Sequence, residues 1–237
     1  MSHLNILVYV EDSMKYLLHD YVTVNKNNIS SYGGNQLWSE NATLRQCGCG
    51  VIAAADLLLY LSANNIEYSK GPAKELTSAS PIPHCQYEQF TCMLKNKYLP
   101  LLPPFGMNGL SLAVGLNLYF MRWGIPLLAR WGTTHKNLWE RMEEMLEQDI
   151  PVIFAVGPNF PLVWKNNRLN FYSKNSDRYF KSNSAKAHFI TLTGIDGDWL
   201  SISSWGKQFY ISKEEFLSYS RMHSLDILSN MLYIRKK

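Results

Sequence analysis

Hydrophobic residues in the first half of the chain recur at helical spacing. The segment 51–62 carries them at Val51, Ala55, Leu58 and Leu59, and this i, i+4, i+7, i+8 stripe is typical of one face of a buried helix. The segment also contains three consecutive alanines, the residue with the highest intrinsic helix propensity. The pattern therefore predicts a buried helix here.

Two later segments of this half have helical patterns as well. Residues 108–122 begin at Asn108, a residue type favoured at N-caps, and are followed by Gly124, a residue type favoured beyond a helix end. Residues 136–148 carry an apolar stripe formed by Leu138, Met142, Met145 and Leu146. Residues 65–108 hold six prolines, so we expect no long element there.

The second half changes to short strands and turns. Apolar or alternating runs predict strands at 151–156, 188–193, 199–203, 208–211 and 231–234. The Asp196-Gly197 pair is a strong hairpin signal between two of them. We expect the last strand to close the sheet, and the aromatic-rich stretch 160–180 to be a loop.

Helices followed by antiparallel strands indicate an α+β fold, because a parallel sheet would show alternating βαβ units. The length of 237 residues fits one domain with a substantial core. We predict a single domain over 1–237, with a mainly helical lobe at 1–148 and a mainly β lobe at 149–237.

Composition narrows the classes of function. Hydrophobic residues make up 46% and charged residues 18%, which excludes a disordered or fibrous chain. The net charge of +4 comes from scattered basic residues, so we expect no nucleic-acid partner. No segment is long and apolar enough to span a membrane, and residues 1–10 lack a secretory-signal pattern. We therefore expect a soluble, cytoplasmic protein.

Cys49 is the candidate nucleophile, because it directly precedes the first predicted helix. A helix N-terminus stabilises a thiolate, and the thiolate is the form that attacks carbonyls. Cys47 would take this role in a shifted register. A zinc site with Cys85 and Cys92 is not expected, because the spacings differ from those of the usual paired ligands.

His188 is the candidate base. Unlike the other histidines, it starts an alternating strand of the β half, and imidazole titrates in the range that general bases need. A third group normally orients such a ring. Pairing across the predicted hairpin turn brings the stretch 203–206 back toward His188, so we expect a serine hydroxyl there to accept the imidazole N–H. Trp205 would shield this bond from water.

Three motifs occur in the order found in papain-like cysteine peptidases. Gly48-Cys49-Gly50 resembles the start of the nucleophile helix, closest to the bacterial branch that includes the double-glycine (bacteriocin-leader) peptidases. The strand from His188 resembles the strand of the catalytic histidine, and Ser203-Ser204-Trp205-Gly206 resembles the Asn-Ser-Trp-Gly segment. The resemblance implies a papain-like fold, with a helical N-terminal lobe packed on an antiparallel β-sheet lobe and the active site in the cleft between them.

The resemblance leaves two positions open. The third catalytic residue is usually Asn or Asp, and here the match falls on Ser203 or, by the bacterial pattern, on Ser204. The segment with Gln36 resembles the one that carries the oxyanion glutamine. In papain-type enzymes that glutamine lies six positions before the thiol, where this chain has Thr43. Gln36 lies thirteen positions before it, and Gln46, three before, is the fallback.

The function implied by the resemblance is that of a cysteine peptidase or amidase acting on a peptide or protein substrate. Cys49 would attack the carbonyl as an ion pair with His188, and Gln36 would bind the oxyanion. The serine and the glutamine spacing motivate one alternative, an inactive papain-fold peptide-binding protein. Another alternative is an acyltransferase or transglutaminase-like enzyme, in which an amine replaces water. No cofactor and no metal are implied.

Overall fold

The computed structural model describes residues 14–176 and 178–237. The α-helices in these ranges are α1 Ala42–Cys47, α2 Cys49–Asn64, α3 Pro72–Leu76, α4 His84–Lys97, α5 Gly109–Trp123, α6 Leu138–Glu147 and α7 Lys213–His223. The strands are β1 Lys15–Tyr16, β2 Val24–Lys26, β3 Ile29–Ser30, β4 Ile82–Pro83, β5 Leu127–Trp131, β6 Val152–Val156, β7 Leu169–Asn175, β8 Arg178–Ala185, β9 His188–Asp196, β10 Trp199–Ser204, β11 Lys207–Ser212 and β12 Leu232–Lys236. Short 3-10 helices lie at Gln36–Trp38 and His135–Asn137.

Helices together with antiparallel sheets confirm the predicted α+β class. The main sheet has the strand order β1-β9-β10-β11-β7-β8, and β6 also pairs with β9. All of these pairs are antiparallel. Buried hydrophobic side chains from both halves form one core cluster. The division into two lobes within one domain stays a prediction.

The three helices predicted from hydrophobic spacing are all present. Helix α2 is buried from Gly50 to Ser62, as the stripe at 51–62 indicates. Asn108 accepts a hydrogen bond from the Ser111 N–H at 2.8 Å, and Gly124 has φ 62° beyond the end of α5. In α6 the buried residues are the four that form the predicted stripe. Helices α5 and α6 each bury one face, whereas α2 is buried on all sides.

The expectation of no long element at 65–108 is wrong, because α4 runs over 14 residues there. Pro83 occupies its N-cap position, where no helical N–H is needed. Pro100 follows the end of the helix. These prolines bound the helix rather than break it.

Two predictions in the second half are also wrong. The last strand, β12, does not close the main sheet but pairs with β5 in a separate two-stranded sheet. The stretch 160–180, expected as a loop, contributes to a hairpin in which β7 pairs with β8. Alternation is weak in β8, whose side chains are mostly exposed, so the pattern carried little signal.

Within residues 14–176 and 178–237, no helix is long and apolar enough to cross a membrane. The prediction about a secretory signal concerns residues 1–10, which lie outside the described ranges.

Candidate active site

The hairpin of β9 and β10 places His188 next to Ser204. The His188 Nε2 atom lies 2.8 Å from the Ser204 Oγ atom, and both residues are buried. The Trp205 ring stacks on the imidazole, with centroids 4.4 Å apart and an angle of 15° between the planes. The imidazole is therefore oriented by one hydrogen bond and one stacked ring.

Trp205 and Gly206 form the two-residue turn between β10 and β11, since Ser204 pairs with Lys207. Both turn residues have positive φ, 49° and 73°, as the tight hairpin turns favoured by strand twist require. A bulky residue at positive φ is uncommon and strained. The strain is offset by the packing of Trp205 against His188 and Phe171, and such strained positions cluster at functional sites.

Ser203, the first candidate for the third catalytic residue, does not hydrogen-bond to the imidazole of His188. Its hydroxyl donates to the Tyr32 carbonyl oxygen at 2.9 Å. The pairing of β9 with β10 shifts by one residue between Ser201 and Ile202, so that Ser203 lies opposite Thr191. Side chains alternate between the faces of a strand, and a one-residue shift exchanges the face on which each residue lies. The next residue along, Ser204, therefore meets the imidazole.

A cavity of about 20 Å³, hereafter the small cavity, brings the candidate residues together. It is lined by Gly34, Gln36, Cys49, Ile52, Ala53, Asp56, His188, Phe189, Ile190, Thr191, Ser203, Ser204 and Trp205. A space of this size holds about one water molecule. Cys49 and His188 therefore both lie on the wall of one small space.

Cys49 is the first residue of α2, at the junction with α1. Burial raises the pKa of the Cys49 thiol, and the backbone N–H groups of Phe189 and Gly50 lower it to a smaller extent. Burial, with a smaller contribution from Arg168, lowers the pKa of His188 to about 3. Both shifts favour the neutral forms, a thiol and an imidazole, in contrast to the ion pair that the resemblance implies.

Gln36 reaches the site although it lies thirteen residues before Cys49. The intervening chain folds into α1, and the Gln36 Nε2 atom donates to the Arg45 carbonyl oxygen of that helix at 3.2 Å. Gln36 lines the small cavity, whereas Gln46 and Thr43 do not. Gln36 therefore lines both cavities together with Cys49, whereas the fallback residue Gln46 lines only the large cavity described below.

Cys47 does not share the small cavity with His188, although both line the large cavity described below. Its thiol contacts the Thr43 carbonyl oxygen at 3.3 Å, and it does not line the small cavity. All four cysteines are free. The described residues contain no cluster of three or more His, Cys, Asp or Glu side chains that could hold a metal ion.

Asp56 is a site residue that the sequence analysis missed. It lies two turns after Cys49 on α2, is only 2% exposed, and lines the small cavity. Its carboxylate accepts hydrogen bonds from the Gly34 N–H at 3.0 Å and the Tyr87 hydroxyl at 2.6 Å. The Tyr21 hydroxyl adds a longer contact of 3.4 Å. Burial raises the pKa of Asp56 to about 6, against the lowering effect of these donors.

These bonds fix the backbone two residues before Gln36. A Cβ atom at Gly34 would overlap the Tyr87 hydroxyl, and one at Gly33, where φ is 75°, would overlap Ser203 and Asp56. Only glycine allows this close approach of the loop to α2. The signal was present in the sequence as Gly33-Gly34 ahead of Gln36 and a lone acid inside an apolar helix.

A second cavity of about 770 Å³, hereafter the large cavity, opens next to the small one. Gln36, Cys49, His188 and Trp205 line both. Its volume lies within the range of ligand-binding pockets in proteins. Cys49 and His188 therefore border a space large enough for a substrate.

Comparisons of the chain with protein-family models, with curated proteins and with solved structures found no match.

Proposed function

We propose that this protein is a papain-like cysteine peptidase or amidase, which cleaves a peptide or amide bond through an acyl-enzyme. The observation that carries the proposal is the shared cavity, which is lined by Cys49 at a helix N-terminus and by His188, whose imidazole is held by Ser204. A nucleophile, a base and a group that orients the base are the parts that covalent acyl transfer needs. The papain-like arrangement of two lobes around a cleft belongs to the same proposal.

The first step starts from neutral groups. This step uses the tautomer in which the Nε2–H of His188 donates to Ser204, because the Nδ1 lone pair can then accept the proton of the Cys49 thiol. The sulfur attacks the substrate carbonyl carbon as this proton moves to the imidazole. General-base transfer during attack suits the raised pKa of the thiol and the lowered pKa of His188, since neither group is charged beforehand.

The charge that develops on the carbonyl oxygen would be bound by two donors. These are the backbone N–H of Cys49, at the start of α2, and the side-chain amide of Gln36. The imidazolium of His188 then protonates the leaving amine as the carbon–nitrogen bond breaks. In the second half of the reaction His188 takes a proton from water, which attacks the thioester and releases the acid and the free thiol.

One observation favours the second candidate, a peptide-binding protein without hydrolytic activity. The environment favours an uncharged thiol and an uncharged imidazole, and Ser204 supplies no negative charge to stabilise an imidazolium. The large cavity would then bind a peptide without cleaving it.

A thiol-directed activity probe separates the two candidates. We expect a peptidyl electrophile to label the wild-type protein, and labelling to be lost in Cys49→Ala and strongly reduced in His188→Ala. The Cys85→Ala variant is the matched control, because Cys85 is an exposed free cysteine that lines neither cavity. Peptide hydrolysis should follow the same order. An absence of labelling at Cys49 at every pH from about 5 to 9 would overturn the peptidase proposal.

A further inference from the structure

The formally charged side chains that line the large cavity are all positive. Two formally charged side chains line it, Arg168 and Lys186, and both are cations. Among the residues that the structure describes, none of those lining this cavity is Asp or Glu. The nearby acid Asp226 lies against His135, with Oδ1 and Nδ1 3.3 Å apart, and does not line the cavity. The positive charge is therefore not compensated by a lining acid.

Hydrogen bonds hold Arg168 in place beside the candidate site. Its Nε and Nη2 atoms donate to the side-chain and backbone oxygens of Ser184, both at 3.0 Å. The Lys186 ammonium donates to the Lys165 carbonyl oxygen at 3.0 Å. The Nη1 group of Arg168 makes no hydrogen bond to the residues that the structure describes. A guanidinium matches a carboxylate in geometry.

Other residues that line the large cavity are apolar and exposed. Phe105 and Leu102 line it and are 89% and 73% exposed. Leu110 and Ile227 also line the cavity and are exposed. Large apolar side chains exposed side by side around a cavity mark a surface that is covered when a ligand binds.

We propose that the large cavity selects peptide segments that carry bulky apolar side chains together with an acidic side chain, the carboxylate binding at Arg168 and Lys186. The apolar side chains would cover the wall formed by Phe105, Leu102, Leu110 and Ile227. This inference rests on the proposed function for the choice of a peptide as the ligand. It goes further by naming the composition of that peptide.

Binding of an acidic group at Arg168 would also raise the pKa of His188. Arg168 is one of the two causes of the lowered pKa of His188. A carboxylate on the guanidinium compensates that charge, so the imidazole of the complex accepts the proton of the thiol more readily than the imidazole of the free protein. Substrates of the preferred composition would then be favoured in turnover as well as in binding.

The test measures binding with the full chain carrying Cys49→Ala, so that no turnover is needed. Fluorescent pentapeptides with two leucines and one glutamate are compared by anisotropy with peptides that have glutamine in place of glutamate or serines in place of leucines. We expect the glutamate peptide to bind about fivefold more tightly than the glutamine peptide. The preference should shrink in about 0.5 M salt, because the Debye length is then roughly 4 Å and the attraction between the charges is screened.

Two further variants test whether Arg168 and Lys186 cause the preference for the glutamate peptide. The double variant Arg168→Gln, Lys186→Gln should bind the glutamate and glutamine peptides equally. Lys181→Gln should retain the preference, because Lys181 lies exposed on β8 and does not line the cavity. Both cation substitutions lie at polar, incompletely buried positions, and thermal unfolding checks that the fold is retained.

Three results would overturn the inference: equal binding of the glutamate and glutamine peptides to Cys49→Ala, a preference that survives the double substitution, or serine peptides that bind as well as leucine peptides. None of these depends on hydrolysis. If the protein prefers the acidic peptide but never cleaves a peptide, only the peptidase proposal is wrong. If it cleaves peptides without preferring the acidic one, only this inference is wrong.

Discussion

His188 Nε2 lies 2.8 Å from Ser204 Oγ, while the neighbouring hydroxyl of Ser203 donates to the Tyr32 carbonyl oxygen instead. Two adjacent serines thus have different roles, one toward the imidazole and one toward the backbone. A neutral hydroxyl orients the ring but gives no charge to an imidazolium. Neither serine therefore supplies a negative charge to the imidazole.

Substitution of the two serines should separate these roles. We expect Ser204→Ala to lower kcat about five- to tenfold, because one neutral hydrogen bond contributes about 1 kcal/mol. Ser203→Ala should leave kcat within about twofold and lower the free energy of unfolding by about 1 kcal/mol. Steady-state hydrolysis and urea unfolding of both variants provide the measurement. A larger loss of kcat in Ser203→Ala would contradict the assignment of Ser204.

Removal of the Gln36 amide should reduce kcat more than KM. An oxyanion donor acts on the charge that forms in the transition state, so Gln36→Ala is expected to lower kcat by about 10²–10³-fold. Gln46→Ala is the matched comparison, since Gln46 lines the large cavity as Gln36 does but does not line the small one. Affinity for a peptide aldehyde, whose adduct carries such an oxygen, should fall in parallel. A stronger effect of Gln46→Ala on kcat would assign the oxyanion site to that residue.

The buried carboxyl of Asp56 should give stability a specific pH dependence. Its pKa is raised to about 6 from an ordinary value of 3.8, so the folded protein holds a proton that the unfolded chain releases between these values. Stability therefore falls as the pH rises through this window and is constant on either side of it.

The Asp56→Asn variant lacks this titration. Relative to the variant, the wild-type free energy of unfolding should fall by roughly 3 kcal/mol over the whole titration, from about pH 3.5 to about pH 7.5. Urea unfolding of both proteins at intervals from roughly pH 3.5 to 7.5 measures the difference, since the other titrating groups contribute equally to both. A difference that does not change with pH would show that the carboxyl titrates normally.

Alkylation of Cys49 should report an uncharged thiol in the free protein. Because the pKa of this thiol is raised above its ordinary value of 9.0, we expect its rate of reaction with iodoacetamide to keep rising with pH up to and beyond 9. Mass spectrometry of the alkylated peptide distinguishes Cys49 from Cys47, and His188→Ala should show a similar profile. A rate that is constant from about pH 5 to 8 would instead indicate a preformed ion pair.

The sequence predicted those elements whose start and end are marked by residues within the element or next to it. Helix α5 has a cap at Asn108 and a stop at Gly124, and both operate in the structure. The same reasoning failed for α4, since prolines at its boundaries resemble prolines that break a helix. It failed for β12 because the identity of a strand's partner is a long-range choice that no local pattern encodes.

For the candidate site, the sequence by itself determined which residue types occur and near which elements: a thiol at the start of α2, an imidazole at the start of β9, and two serines at the end of β10. The tertiary structure decided which of them meet. In an unshifted hairpin Ser203 would share a face with His188, and the one-residue shift after Ser201 gives that position to Ser204. Asp56 was likewise fixed only by packing, because its partners at Gly34 and Tyr87 come from distant parts of the chain.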